Sequence, residues 1–145
     1  MTTNLDNVMY FLHKVSLFQG LSDAHLRKLA KNARERDYNA GDIILEQGKL
    51  GVGLFIMMQG EAKVEREQVD GTLIELDRLR PTEVFGEISL LDDTPRVASV
   101  IAMNEVKCLV LDKPQFLQEI SEDAEIAVAL LKTLAGRYRR LVQNL

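Results

Sequence analysis

The fold turns on residues 85–100, Phe85-Gly86-Glu87-Ile88-Ser89-Leu90-Leu91-Asp92-Asp93-Thr94-Pro95-Arg96-Val97-Ala98-Ser99-Val100. Gly86 permits a backbone turn that a residue with a Cβ resists, and it lets another group approach the main chain closely. Glu87 and the apolar Ile88, Leu90 and Leu91 predict a helical turn or two. The first N–H groups of such a turn, those of Ile88 and Ser89, suit an anion. Arg96 follows the turn-like Asp92-Asp93-Thr94-Pro95 and precedes the small Ala98 and Ser99. One carboxylate, one guanidinium and several N–H groups in so short a stretch suit a small ligand carrying a hydroxyl and a phosphate.

Around this stretch the hydrophobic period changes twice. Leu5, Val8, Phe11, Leu12 and Val15 recur at helical spacing and predict a helix from Asn4 to Leu17, stopped at Gly20. Ser22 reads as the N-cap of a second helix reaching about Ala33. From Arg34 onward short strand-like runs follow at residues 36–38, 42–45, 54–58, 62–68, 72–79, 97–102 and 106–111, with Asp70-Gly71 as a hairpin signal. Many short strands predict an antiparallel sandwich or barrel. Asp112 with Pro114 then opens a helix, and Ser121 with Glu122 and Asp123 opens a last one. In that last helix Ala127, Leu131, Leu134, Tyr138, Leu141 and Leu145 are spaced 4, 3, 4, 3, 4. This short heptad seam serves equally for packing on the β structure or for a homodimer seam and lid.

Composition narrows the function classes. At 145 residues, 46% hydrophobic and 28% charged, the chain suits one soluble domain over residues 1–145. A net charge of −4 gives nucleic acid no electrostatic attraction to this chain alone. No apolar run approaches the roughly 18 residues of a membrane span, and no signal peptide is visible. The single Cys108, in a strand-like run, fits a buried thiol and a reducing, cytoplasmic setting. His13 and His25 both precede the strands and read as surface or interfacial residues, so no metal site and no catalytic residue is expected. A metal-dependent barrel enzyme would need histidine ligands on its strands.

Residues 85–100 resemble the phosphate-binding cassette of cyclic nucleotide-binding domains, a family that includes kinase regulatory subunits and the bacterial catabolite activator. Gly86, Glu87, Ile88, Ser89, Leu90, Arg96 and Ala98 fall at the matching places, whereas Val97 departs from the usual Ser, Thr, Ala or Gln. Thr82 also departs, standing where the family tends to have a glycine.

The resemblance implies a mainly β double-stranded β-helix, or jelly-roll barrel, at 34–112, with N-terminal helices at 1–33 and two C-terminal helices at 113–145. It implies ligand contacts from Gly86, Glu87, Ile88, Ser89, Arg96, Val97 and Ala98. Arg96 would be the phosphate counter-ion, with main-chain N–H groups of Ser89 and of Val97 or Ala98 beside it, and Glu87 would accept from the ribose 2′-hydroxyl. Val64, Leu73, Leu76, Leu141 and Val142 would touch the base. The lack of a hydroxyl at Val97 favours cyclic AMP over cyclic GMP. Ligand would bias the C-terminal helices toward one arrangement and so signal to a separate protein. The alternative is a jelly-roll scaffold that has lost its nucleotide and acts through protein contacts.

Overall fold

A computed structural model describes residues 5–145, which divide into two compact units, one of residues 33–113 and one joining residues 5–32 to 114–145. The first is a pair of four-stranded antiparallel sheets. Its strands are β1 (Arg34–Tyr38), β2 (Ile43–Leu45), β3 (Gly53–Gln59), β4 (Ala62–Glu67), β5 (Leu73–Leu79), β6 (Val84–Phe85), β7 (Ser99–Ala102) and β8 (Val106–Asp112). One sheet runs β1-β8-β3-β6 and the other β2-β7-β4-β5. These are the two faces of the expected jelly roll.

Alternation within the strands explains how the sheets meet. Phe55, Met57, Cys108 and Val110 from one sheet, with Ala62, Val100 and Ala102 from the other, belong to one buried cluster. Phe55 pairs across the ladder with Phe85, their rings tilted at 5.3 Å between centroids. Cys108 lies within this core beside Met57, its sulfur 3.9 Å away, and burial pushes the thiol up to about 12. It is the structural thiol that the sequence implied. The Asp70-Gly71 hairpin also forms: Gly71 is left-handed and Asp70 accepts from the main-chain N–H of Thr72 at 3.0 Å.

Several expected boundaries move. The two-residue strand β6 was not foreseen, and the strand expected from Val97 starts only at Ser99, leaving Val97 and Ala98 outside the ladder. Asp112 ends β8 and stands directly before α4 (Lys113–Glu122), as the sequence implied, with Pro114 inside the first turn; its carboxylate accepts from Arg34 at 2.5 Å. The family's glycine is replaced by Thr82 at position i+2 of a turn closed by the Glu83 N–H donating to the Arg80 carbonyl at 3.1 Å. Thr82 takes the left-handed backbone that this turn demands, with φ +77°.

The helical unit contains α1 (Leu5–Leu12), a 3-10 turn at Ser16–Phe18, α2 (Asp23–Asn32) and α5 (Ala124–Gln143), and it holds α4 (Lys113–Glu122) from Pro114 onward. (The helices are α1, α2, α3 at Glu87–Asp92, α4 at Lys113–Glu122, and α5.) The first helix was expected to run to Leu17. It stops at Leu12, and Val15, Leu17 and Phe18 reach burial through the 3-10 turn, so the apolar spacing outlived the helix. Asn4 lies outside the described residues. Ser22 caps α2 as expected, accepting from the His25 N–H at 3.2 Å. The last helix is capped not by Ser121, whose hydroxyl donates to the Leu117 carbonyl within α4, but by Asp123, which accepts from the Glu125 N–H at 2.9 Å.

His25 is interfacial. Its Nε2 meets the carboxylate of Glu119, which is 1% exposed and also accepts from Gln115 at 2.9 Å, and its Nδ1 lies 3.6 Å from Asp123. The histidine thus ties α2 to α4 and to the cap of α5. In the seam of α5, Leu131 and Tyr138 are 65% and 70% exposed.

Candidate functional site

The cassette is built from the end of β6. Gly86 is left-handed (φ +85°, ψ +4°) and stands as the N-cap of α3. A Cβ at Gly86 would sit 3.2 Å from the Gly53 carbonyl oxygen and 3.3 Å from Leu45, so the left-handed backbone favours glycine and the space for a side chain is tight. Gly51 plays a matching part, because a Cβ there would lie 3.1 Å from the Ser89 side chain. These two close approaches seat α3 against the loop before β3.

On α3 the side chains divide by face. Glu87, 2% exposed, Ser89 and Leu90 are buried, while Ile88 and Leu91 are exposed. A buried carboxylate at the start of a helix agrees in sign with the helix dipole. At the end of α3, Asp92 accepts both the N–H and the hydroxyl of Thr94, at 3.1 and 2.6 Å, which holds its carboxyl below the usual range. Asp93 is left-handed and pairs with Lys113. The chain therefore turns sharply back toward Arg96.

Arg96 is held by its own backbone. Its N–H donates to the Lys49 carbonyl, and its carbonyl accepts from the Gly48 N–H, each at 2.8 Å. Its side chain is different. Nε and Nη2 of the guanidinium are both buried, and neither has a hydrogen-bond partner among the described residues. Burial alone pulls the Arg96 pKa below its ordinary value, with no carboxylate opposing it. Two donor nitrogens of a charged group that water does not reach are costly unless an anion completes them.

The residues expected at the phosphate end all fall in the sheet unit: Gly86, Glu87, Ile88 and Ser89 at and in α3, and Arg96, Val97 and Ala98 in the segment between α3 and β7, with Ile88 and Val97 exposed. At the base end, Val64 on β4 is partly buried against the core, while Leu73 and Leu76 are exposed on the edge strand β5. Leu141 and Val142 are exposed on α5, in the helical unit. No group of His, Cys, Asp and Glu among the described residues is arranged to hold a metal ion.

Residues 35–123 match the family model for the cyclic nucleotide-binding domain. The chain belongs to the cyclic nucleotide-binding domain family. Its curated relatives include the CRP-like cAMP-activated global transcriptional regulator of Mycobacterium tuberculosis, 31% identical over 92% of this chain and 60% of that protein. The chain therefore spans about three fifths of the length of that relative. Among solved structures, the Thermus thermophilus catabolite activator protein is 32% identical, with a TM-score of 0.80 over 89% of this chain and 61% of that one. The regulatory domain of Toxoplasma gondii PKA, crystallised with cAMP, is 26% identical, with a TM-score of 0.82 over 92% of this chain and 50% of that one.

Two contacts of this cyclic nucleotide-binding domain were not legible in the sequence. Arg66 on β4 donates from Nη1 to the Val97 carbonyl at 2.9 Å, and Gln47 exchanges a reciprocal pair of bonds with the main chain of Glu67 at 3.1 and 2.8 Å. Both join residues at least 20 positions apart, and no local pattern marks them.

Proposed function

We propose that this chain is a regulatory receptor for a cyclic nucleotide, with cyclic AMP preferred. The observation that carries the reading is the Arg96 guanidinium, whose Nε and Nη2 are buried and unpaired among the described residues. In the proposed complex it gives two parallel bonds to the exocyclic phosphate oxygens. N–H groups of Ser89 and of Val97 or Ala98 complete the anion site, and the Glu87 carboxylate accepts from the 2′-hydroxyl. Val64, Leu73, Leu76, Leu141 and Val142 are the proposed apolar contacts of the base. Val97 offers no hydroxyl to a guanine amino group, which supports cyclic AMP. The cAMP-activated regulator and the cAMP complex among its relatives support the same ligand.

The proposed output is mechanical. Ligand stabilises one arrangement of residues 114–145 over another, by about 1–3 kcal/mol for a useful switch. The exposed heptad seam of α5 is the proposed homodimer contact, and the signal passes to a separate protein partner in the cytoplasm. A dimer in sedimentation equilibrium agrees with this, and a monomer at all concentrations removes the seam from the proposal.

Calorimetric titration of wild type and Arg96→Ala with cyclic AMP and cyclic GMP tests the receptor itself. Binding by wild type, weakened at least tenfold in the variant, supports it. No heat with either nucleotide leaves the scaffold alternative, a jelly roll acting through protein contacts.

A further inference from the structure

The ladder between β4 and β7 pairs Ala62 with Ala102, Lys63 with Ile101, Val64 with Val100 and Glu65 with Ser99, and there it ends. Val97 and Ala98 have left the strand, so the Val97 carbonyl has no place in a main-chain ladder. Backbone carbonyls taken out of a sheet need another donor. Arg66, the next residue of β4, supplies it: its side chain reaches across and donates to Val97 at 2.9 Å. The same end of β4 is fixed from a second direction. Gln47 uses its side-chain amide as a strand residue uses its peptide group, donating to the Glu67 carbonyl and accepting from the Glu67 N–H. The Gln47 N–H in turn donates to the Ser99 hydroxyl at 2.9 Å. With Gly48 and Lys49 already bonded to the backbone of Arg96, the segment 96–99 is gripped at four points, and of these Arg66 holds Val97.

We infer that Arg66 is a positioning residue for the anion-binding turn, fixing the Val97 peptide so that the adjoining N–H group and the Arg96 side chain face the ligand together. This role rests on the cyclic-nucleotide reading of the site. Arg66 sits one strand away from the sequence cassette and is exposed, so its replacement leaves the core untouched. One charge-assisted bond is removed, acting through geometry and not through ligand contact. The expected loss is therefore about three- to tenfold in affinity, below that of a direct phosphate contact.

The test compares wild type, Arg66→Met and Arg66→Lys by calorimetric titration with cyclic AMP, with the melting temperature of each ligand-free protein. Arg66→Met is expected to raise Kd about three- to tenfold with a melting temperature close to wild type. Arg66→Lys, which keeps a donor of similar reach, is expected to recover most of the affinity. Equal Kd values for wild type and Arg66→Met overturn the role, as does a loss in both variants that follows a drop in melting temperature. If wild type binds neither cyclic AMP nor cyclic GMP, the receptor reading falls and this role falls with it. If wild type binds and Arg66→Met binds equally, the role of Arg66 alone is refuted.

Discussion

Replacing Arg96 by methionine should have two effects of opposite sign. In the ligand-free protein, Nε and Nη2 of Arg96 are buried without partners among the described residues. A buried donor left unpaired costs about 1–3 kcal/mol. Methionine keeps an unbranched apolar stem and removes the charge, so the ligand-free fold should lose nothing and gain up to that amount. For a chain of this length, 1 kcal/mol corresponds to about 2–4 °C in melting temperature. Binding should move the other way. Two charge-assisted bonds at about 1.5–3 kcal/mol each amount to about 3–6 kcal/mol, which at about 1.4 kcal/mol per decade is a hundredfold or greater rise in Kd. Thermal melts without nucleotide and calorimetric titration with cyclic AMP read the two effects separately. A variant that melts well below wild type would show that Arg96 is a structural residue. A Kd within threefold of wild type would show that the guanidinium does not meet the phosphate.

Other outcomes follow from single residues. Thr82→Gly relieves a left-handed threonine at φ +77° and should raise stability by about 0.5–1 kcal/mol in urea denaturation, after the added chain entropy of glycine is subtracted; an unchanged or lower midpoint refutes the strain. Glu87→Ala should weaken cyclic AMP tenfold or more and 2′-deoxy cyclic AMP hardly at all, because the bond it removes is absent from the deoxy ligand; equal losses would assign Glu87 another role. Cys108 titrates at about 12 in the fold against 9.0 in a free thiol, so the folded chain keeps a proton that the unfolded chain gives up between those values. Its contribution is complete below about pH 9 and declines as pH rises toward 12, by at most about 1.4 kcal/mol per pH unit. Wild type should therefore lose urea stability faster than Cys108→Ala above about pH 9, and parallel curves would contradict this.

The parts legible in the sequence were those written over a few neighbouring residues. Gly86, Glu87, Ser89 and Arg96 could be placed because the turn, the short helix and the return to Arg96 are local, and Asp70-Gly71 announced its hairpin by the same logic. Thr82 was visible as a departure, and the left-handed φ shows that the turn persists with a strained side chain in it. Periodicity misled where burial continued after the helix had stopped, at Val15, Leu17 and Phe18. Caps misled where two candidates stood close together, since Ser121 and Asp123 both suit the position and only Asp123 aims at the free N–H of Glu125. The Arg66–Val97 and Gln47–Glu67 contacts depend on strand register at one end of the β2-β7-β4-β5 sheet, which no window of sequence encodes. The unpaired state of Arg96 is likewise a property of three-dimensional burial, and no sequence pattern states it.

The most direct test of the receptor is a crystal structure of the chain grown with cyclic AMP. The ligand's exocyclic phosphate oxygens should lie about 3 Å from Nε and Nη2 of Arg96, with the ribose 2′-hydroxyl donating to Glu87. A nucleotide bound elsewhere, or one that leaves both Arg96 nitrogens without a phosphate oxygen, would contradict the assignment of this cassette as the ligand site.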